Sequence, residues 1–457
     1  MKDHVKILSP CGILGYGFPK ASFWKGIEDE PDAIVVDAGS TDAGPHKLGA
    51  NTAIVSRQAC KKDLEFMLVA GHEHKIPVII GSAGGSGGKV HVNWTLDIIN
   101  EILEEKALMP SKIAVVWADI PKTLIKEKMQ LGQVTPLGKT VPELNESVLD
   151  ETNDVVAQMG IEPILEALSQ NADIIVCGRA YDPSPFAAVG VYYGFDEALS
   201  YHLGKVLECG ALSSEPGTTK DCMMGIIYKD HFEVYPTNPI RKCTSVSVAA
   251  HTFYEKDHPF LLHGPGIMMD LESCEFVESE AGHVKVYGSK LTHTSPYRVK
   301  LEGARKVAYR TIVVAGVRDP ILIDRIDEVE KSVYESVLEQ YSDMDKANYQ
   351  INFYNYGKNG VMGALEPHNK AGHELGILFE VVAKTQELAS MICSSVRSTF
   401  MHFGYEGRKS TAGNLAFPFA PSDIEFGAVY EFSVYHLMDV EDSTTLFPIE
   451  YINKESA

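Results

Sequence analysis

The sequence predicts an α/β fold followed by a smaller α+β domain, on three observations. Five short apolar runs in the first half each end in a small or acidic turn. Helical stretches separate them. After about residue 225 the strand-like segments alternate instead of running solidly apolar. Apolar runs of four or five residues without alternation suit strands buried on both faces, and helices between them make right-handed βαβ units and a parallel sheet. The expectation is a Rossmann-like parallel sheet with a strand-end ligand cleft over residues 1–225, then an α+β domain with a mixed or antiparallel sheet over 226–457. Two or three domains also suit a chain of 457 residues at about 150 residues each.

In chain order, Val5 to Leu8 leads into Ser9-Pro10-Cys11-Gly12, and Ala33 to Val36 into Asp37-Ala38-Gly39-Ser40-Thr41-Asp42. Pro77 to Ile80 leads into a loop from Gly81 to Gly88. Leu96, Ile99 and Leu103 then mark a helix over 92–105. Ile113 to Trp117 leads into Ala118-Asp119, and Asp173 to Cys177 into Gly178-Arg179-Ala180-Tyr181-Asp182. Beyond 225, strands are expected at 284–287, 297–301 and 308–314. A helix capped by Asp319 with Pro320 in its first position comes next, then strands at 349–356 and 374–382 and a helix over 386–403. In an open parallel sheet ligands bind outside the carboxyl ends of the strands, so the five turns are expected to converge on one cleft.

Composition narrows the function classes. With 41 basic and 62 acidic residues the formal charge is −21, which disfavours nucleic acid and anionic membrane as partners. No apolar run approaches the ~18–20 residues of a spanning helix. The N-terminal stretch is broken by Pro10, Gly12 and Gly15 and does not read as a signal peptide. Eight scattered cysteines form no CxxC pair, so reduced thiols and a cytoplasmic location are expected.

The loop Gly81-Ser82-Ala83-Gly84-Gly85-Ser86-Gly87-Gly88 holds five glycines in eight residues. It reads as an oxyanion cradle at a helix start, against the alternative of a plain flexible turn. It is neither a Walker loop nor a clean dinucleotide fingerprint, so a triphosphatase and a nicotinamide-dependent oxidoreductase are both disfavoured. Asp37, Ser40, Asp42 and His46 share one strand-end loop. They suit divalent-metal ligation, acid/base work or contacts to substrate hydroxyls, and equally the capping of turn amides. Asp119 is a further carboxylate. Arg179 offers a carboxylate or phosphate fork, unless Asp182 simply pairs with it. Cys209 reads as buried filler. His251, Tyr254 and Glu255 read as substrate-contact or supporting groups, and the loops 356–363 and 407–414 as glycine-rich turns with basic and amide donors.

Taken together, the runs DAGSTDAGPHKLG, GSAGGSGG, CGRAYDPSPFAA, HTFYE, YNYGKNGVMG, GHELGILFEVVAKTQELA and GRKSTAGNLAFPFAPSDI resemble the acyclic terpene utilisation AtuA-like family, from about residue 5 to about 438. The resemblance implies a place in the catabolism of branched acids, carried as CoA thioesters or small carboxylates. Larger family members look as if they carry an additional C-terminal segment, which here is expected to be either absent or supplied by a small separate partner subunit. The N-terminal CGILGYGFP lacks the Gly-Asp-Arg associated with the terpene-pathway members, so another branched or hydroxylated acid is expected at least as much as a terpene acid.

These readings converge on a lyase of the hydratase type, cytoplasmic and homo-oligomeric. Its substrate is a small acid or acyl-CoA, and a divalent metal is an open option. Asp37, Asp42, Asp119 and Asp182 are the expected acid/base groups. Ser40, Ser82, Gly84, Gly85, Ser86, Gly87, Gly88, Arg179 and Tyr254 are the expected substrate contacts. The alternative is a non-catalytic acyl- or CoA-binding subunit.

Overall fold

The computed structural model describes residues 2–39, 44–254, 257–279, 282–368, 370–409 and 413–455. The five apolar runs are strands β1 (Val5–Ser9), β2 (Ala33–Asp37), β3 (Val78–Gly81), β4 (Ser111–Val116) and β5 (Ile174–Cys177). They pair in parallel in the spatial order β1-β2-β3-β5-β4, with Val78 opposite both Ile34 and Ile174.

Both faces are covered, which is why these strands do not alternate in sequence. Ile34, Val36, Ile80 and Val176 pack with helices α1 (Lys20–Glu28), α2 (Arg57–His74) and α3 (Lys89–Glu105) through Phe23, Leu64 and Ile99. Ala33, Val35, Ile79 and Ile175 pack with helices α4 (Glu162–Ser169), α5 (Ser184–Tyr192) and α6 (Glu197–Leu207) through Ile164, Phe186 and Leu203. The chain steps β1 to β2 to β3 in one direction and β4 to β5 in the other. With right-handed crossovers, that reversal sends the intervening helix to the opposite face.

The sheet is mixed rather than all parallel. Met223–Ile227 pairs antiparallel with β1, Ile7 opposite Gly225, and Phe232–Pro236, Val284–Tyr287 and Glu275–Glu278 extend that edge. Ile449–Lys454 adds antiparallel to β4 at the other edge, giving ten strands. Pairing thus carries the sheet across residue 225. Met223–Ile227 is a solid apolar run like the parallel strands, and texture alone does not give strand direction. The segments expected at 297–301 and 308–314 form one strand, Tyr297–Val317. Gly303 lets it pass within 2.8 Å of Thr152 (measured from an ideal Cβ) where a side chain would not fit.

By packing, the chain falls into two compact units, Met1–Arg305 with Phe432–Ala457, and Lys306–Glu431. The first also holds a three-stranded antiparallel sheet, Leu261–Gly264, Ile267–Asp270 and Lys290–His293. In the second, Leu375–Ala383 pairs antiparallel with Tyr349–Tyr356 and with residues 309–317. Helices Ile326–Gln340 and Gln386–His402 pack on those strands through Val333, Ile392 and Val396. Asp319 caps as expected, accepting from the Ile321 amide at 2.9 Å, but the helix it starts ends at Asp324 and a second begins at Ile326.

Candidate functional site

Loops leaving β3 and β5 lead to helices on opposite faces of the sheet. The crevice outside that strand pair is where open α/β sheets bind ligands. The loop Gly81–Gly88 leaves β3 there and is buried throughout. Its glycines serve close backbone approach. A Cβ on Gly87, which lies at φ +66°, would stand 2.1 Å from the Arg179 amide nitrogen, and one on Gly39 1.9 Å from the Gly85 carbonyl oxygen. The amides of Ser82, Ala83, Gly85 and Gly87 donate to the carbonyls of Gly178, Cys177, Ser82 and Ala83 at 2.9–3.2 Å. Those of Gly84, Ser86 and Gly88 meet no acceptor among the described residues. The expected cradle therefore narrows to three amides.

Arg179 occupies the crevice and is 2 % exposed. Its Nε donates to Glu302 Oε2 at 2.8 Å; its Nη1 donates to Ser82 Oγ at 3.0 Å, to Asp182 Oδ1 at 3.0 Å and to the Ala180 carbonyl at 3.1 Å. Much of the fork is thus filled from within the chain, including by Asp182. Glu302 is fully buried and also pairs with Lys300 at 2.8 Å. Burial works against its charge, yet Arg179 and Lys300 hold its carboxyl below the usual range. Burial likewise opposes the Arg179 charge, and Glu302 and Asp182 outweigh it.

Asp37 ends β2, 4 % exposed, and accepts from the Gly39 amide at 3.3 Å. Burial, then the charge of Asp182, push its carboxyl well above the usual range, and Arg179 offsets this only in part. Asp119 lies three residues beyond β4. Its Oδ1 accepts from the Lys89 amide at 3.0 Å, at the first residue of α3. Its Oδ2 is buried with no partner among the described residues, and burial raises its pKa. His91 lies beside it: an ideal Cβ on Gly88 would meet His91 Nδ1 at 3.6 Å and Asp119 Oδ1 at 3.8 Å. His91 Nδ1 is also buried without a described partner, and burial lowers the pKa of its ring.

A third cluster follows from α6. Lys205 pairs with Glu208 at 2.5 Å and stands 4.6 Å over the Tyr254 ring. The Tyr254 hydroxyl meets Cys209 Sγ at 3.2 Å, and its ring stacks on His251 at 4.7 Å. Burial and the Glu208 charge push the Cys209 thiol up to about 12. That makes it a poor nucleophile. Burial and then Lys205 push His251 down to about 4. Tyr181 Oη, raised by burial and the Glu208 charge, is another buried polar atom with no described partner.

Next to Glu302 lies a cavity of about 900 Å³, lined by Gln158, Lys300, Leu262, Ile267 and Leu437 among others. Gln158 Nε2 lies 3.3 Å from Glu302 Oε1, so one carboxylate separates the cavity from Arg179. Ser40, Asp42 and Glu255 lie outside the described residues. Among the described residues no three His, Cys, Asp or Glu side chains come together as a metal site, and no helix is long and apolar enough to cross a membrane.

Glu302, Lys205 and His91 are site residues that sequence reasoning misses. The Lys205–Glu208 pair did leave a signal, as opposite charges three apart at the end of a mostly buried helix. Glu302 left none, because it arrives from a strand 123 positions beyond Arg179.

The model of the acyclic terpene utilisation family protein AtuA matches residues 47–221 and 239–421, most of the chain. No curated protein and no solved structure matches it.

Proposed function

The chain belongs to the acyclic terpene utilisation AtuA family, and on that premise we propose that it is a hydratase-type lyase acting on a small branched or hydroxylated carboxylic acid or its CoA thioester. The observation that carries this reading is Asp37, a buried carboxyl near the Arg179 guanidinium whose pKa burial and Asp182 push well above the usual carboxylate range. Eliminating water needs an acid to protonate the leaving hydroxyl, a base to take the neighbouring C–H proton, and positive charge at the substrate carboxyl. Asp37 takes the first role. Asp182, half-exposed at the same guanidinium, takes the second. Arg179 Nη2 and the amides of Gly84, Ser86 and Gly88, none of which donates to a described residue, receive the carboxyl.

The reading treats the parallel block as a Rossmann-like ligand-binding half. The cavity beside Glu302 supports a branched acyl chain or thioester arm: Leu262, Ile267 and Leu437 offer apolar walls, and Lys300 and Gln158 offer donors. The same cavity also favours a second reading, an acyl-binding subunit without turnover of its own.

The test is incubation of the full chain with a panel of hydroxy and unsaturated acids and their CoA thioesters, followed by mass spectrometry for gain or loss of water. Turnover by the wild type, with kcat reduced by about 10²–10⁴ in Asp37→Asn, is the expected result. Turnover unaffected by Asp37→Asn removes the assignment. Binding without turnover supports the second reading.

A further inference from the structure

We propose that the second unit carries an oxyanion site for a phosphoryl group, built where strand Tyr297–Val317 ends and the chain returns through residues 405–409 and 413–416. A cavity of about 520 Å³ opens there, lined by Arg318, Asp319, Tyr405, Arg408, Lys409 and Asn414 among others. Three cations and one carboxylate face it, in a chain whose formal charge is −21.

The manner in which Arg318 is held sets it apart. Arg179, Arg241, Arg310 and Arg397 are each paired with a carboxylate. Arg318 is instead oriented by a neutral oxygen, donating from Nη1 to the His373 carbonyl at 2.8 Å. Arg408 is braced by Asn414, whose Oδ1 accepts from Arg408 Nε at 2.8 Å. Asn414 Nδ2 in turn donates to the carbonyls of Phe400 and Phe403, both at 2.8 Å. Lys409 is exposed at the rim. The one acid, Asp319, caps the Ile321 amide and accepts from the Tyr405 hydroxyl at 2.8 Å, which holds its carboxyl below the usual range. The lining thus carries three cations against one carboxylate, with Arg318 and Arg408 oriented by hydrogen bonds to oxygens of the chain.

Guanidinium groups held in place from two chain segments, with an ammonium at the rim, suit a tetrahedral, multiply charged oxyanion. The volume lies in the range of small-molecule sites, about 300–1,000 Å³, and leaves room for what the phosphoryl group is attached to. Free phosphate and a phosphorylated small molecule share this chemistry.

Isothermal titration of the full chain tests the site, with inorganic phosphate and adenosine 3′,5′-bisphosphate as probes at fixed ionic strength. Saturable binding is expected, weakened at least about tenfold in Arg318→Gln and in Lys409→Gln. It should be unchanged in Lys331→Gln, which removes one exposed charge elsewhere in the unit. Bisphosphate binding more tightly than phosphate identifies a phosphorylated ligand, and equal affinities identify free phosphate. No saturable binding of either probe would overturn the proposal. So would wild-type affinity in Arg318→Gln or Lys409→Gln, or an equal loss in Lys331→Gln. Lys409 is exposed, so its variant tests the site without disturbing the fold.

Discussion

Arg179 shows what a buried charge network demands of single residues. Removing one partner of a buried pair leaves an uncompensated charge, at a cost of about 3–5 kcal/mol. Arg179→Met is therefore expected to lower stability by that amount in a urea melt. The double variant with Glu302→Met is expected to cost clearly less than the two single losses together. Asp37 has the opposite sign. Its pKa is raised in the folded chain, chiefly by burial, so the stability linked to its proton is present at low pH and lost as pH rises through the raised value. Asp37→Asn removes that loss, and its melting temperature relative to wild type is expected to climb with pH. At this scale the sequence revealed residue types better than partners. Asp37, Asp119, Arg179 and Asp182 were legible because strand ends in a parallel sheet face one edge. The filling of the Arg179 fork was not, because Glu302 reaches it from a distant strand.

At the scale of elements, the loop Gly81–Gly88 was legible as special but for a different physical reason. Its glycines admit the close approach of neighbouring backbone. Gly87→Ala places a Cβ 2.1 Å from the Arg179 amide at a positive φ. It is expected to lower the melting temperature sharply and to loosen the loop, read as faster hydrogen exchange at the amides of Ala83 and Arg179. In the second unit, helix Ile326–Gln340 brings Glu330 Oε2 to Asn355 Nδ2 at 3.0 Å, while Glu330 Oε1 and Asn355 Oδ1 are buried with no described partner. Burial pushes Glu330 up to about 7, and in its acid form Oε1 becomes a donor. The Asn355 carbonyl anchors the next turn, accepting from the amides of Lys358, Asn359 and Gly360 at 2.9–3.1 Å. Because the folded pKa is raised, stability is full below about 4.5, the ordinary value, and falls as pH rises through about 7. The total is on the order of 3 kcal/mol. Glu330→Gln is expected to flatten that dependence, and exchange at amides 358–360 measured from pH 5 to pH 8 checks it.

For the whole molecule, the five parallel strands and the α+β order of the second unit were readable because burial on two faces and on one face leave different periodicities. Strand direction beyond the parallel block was not readable, since Met223–Ile227 has the same apolar texture as the five parallel strands but pairs antiparallel with β1. The reversal between β3 and β5 is a property of the assembled sheet, and it is what brings Ser82, Arg179 and Asp37 to one crevice. The functional account turns on whether that crevice keeps Asp37 protonated at neutral pH. Infrared difference spectroscopy of wild type against Asp37→Asn at pH 7 reads this directly. The account predicts a protonated-carboxyl stretch in the wild type that is absent from the variant. A difference spectrum showing only loss of an ionised carboxylate would contradict it and remove Asp37 as the acid.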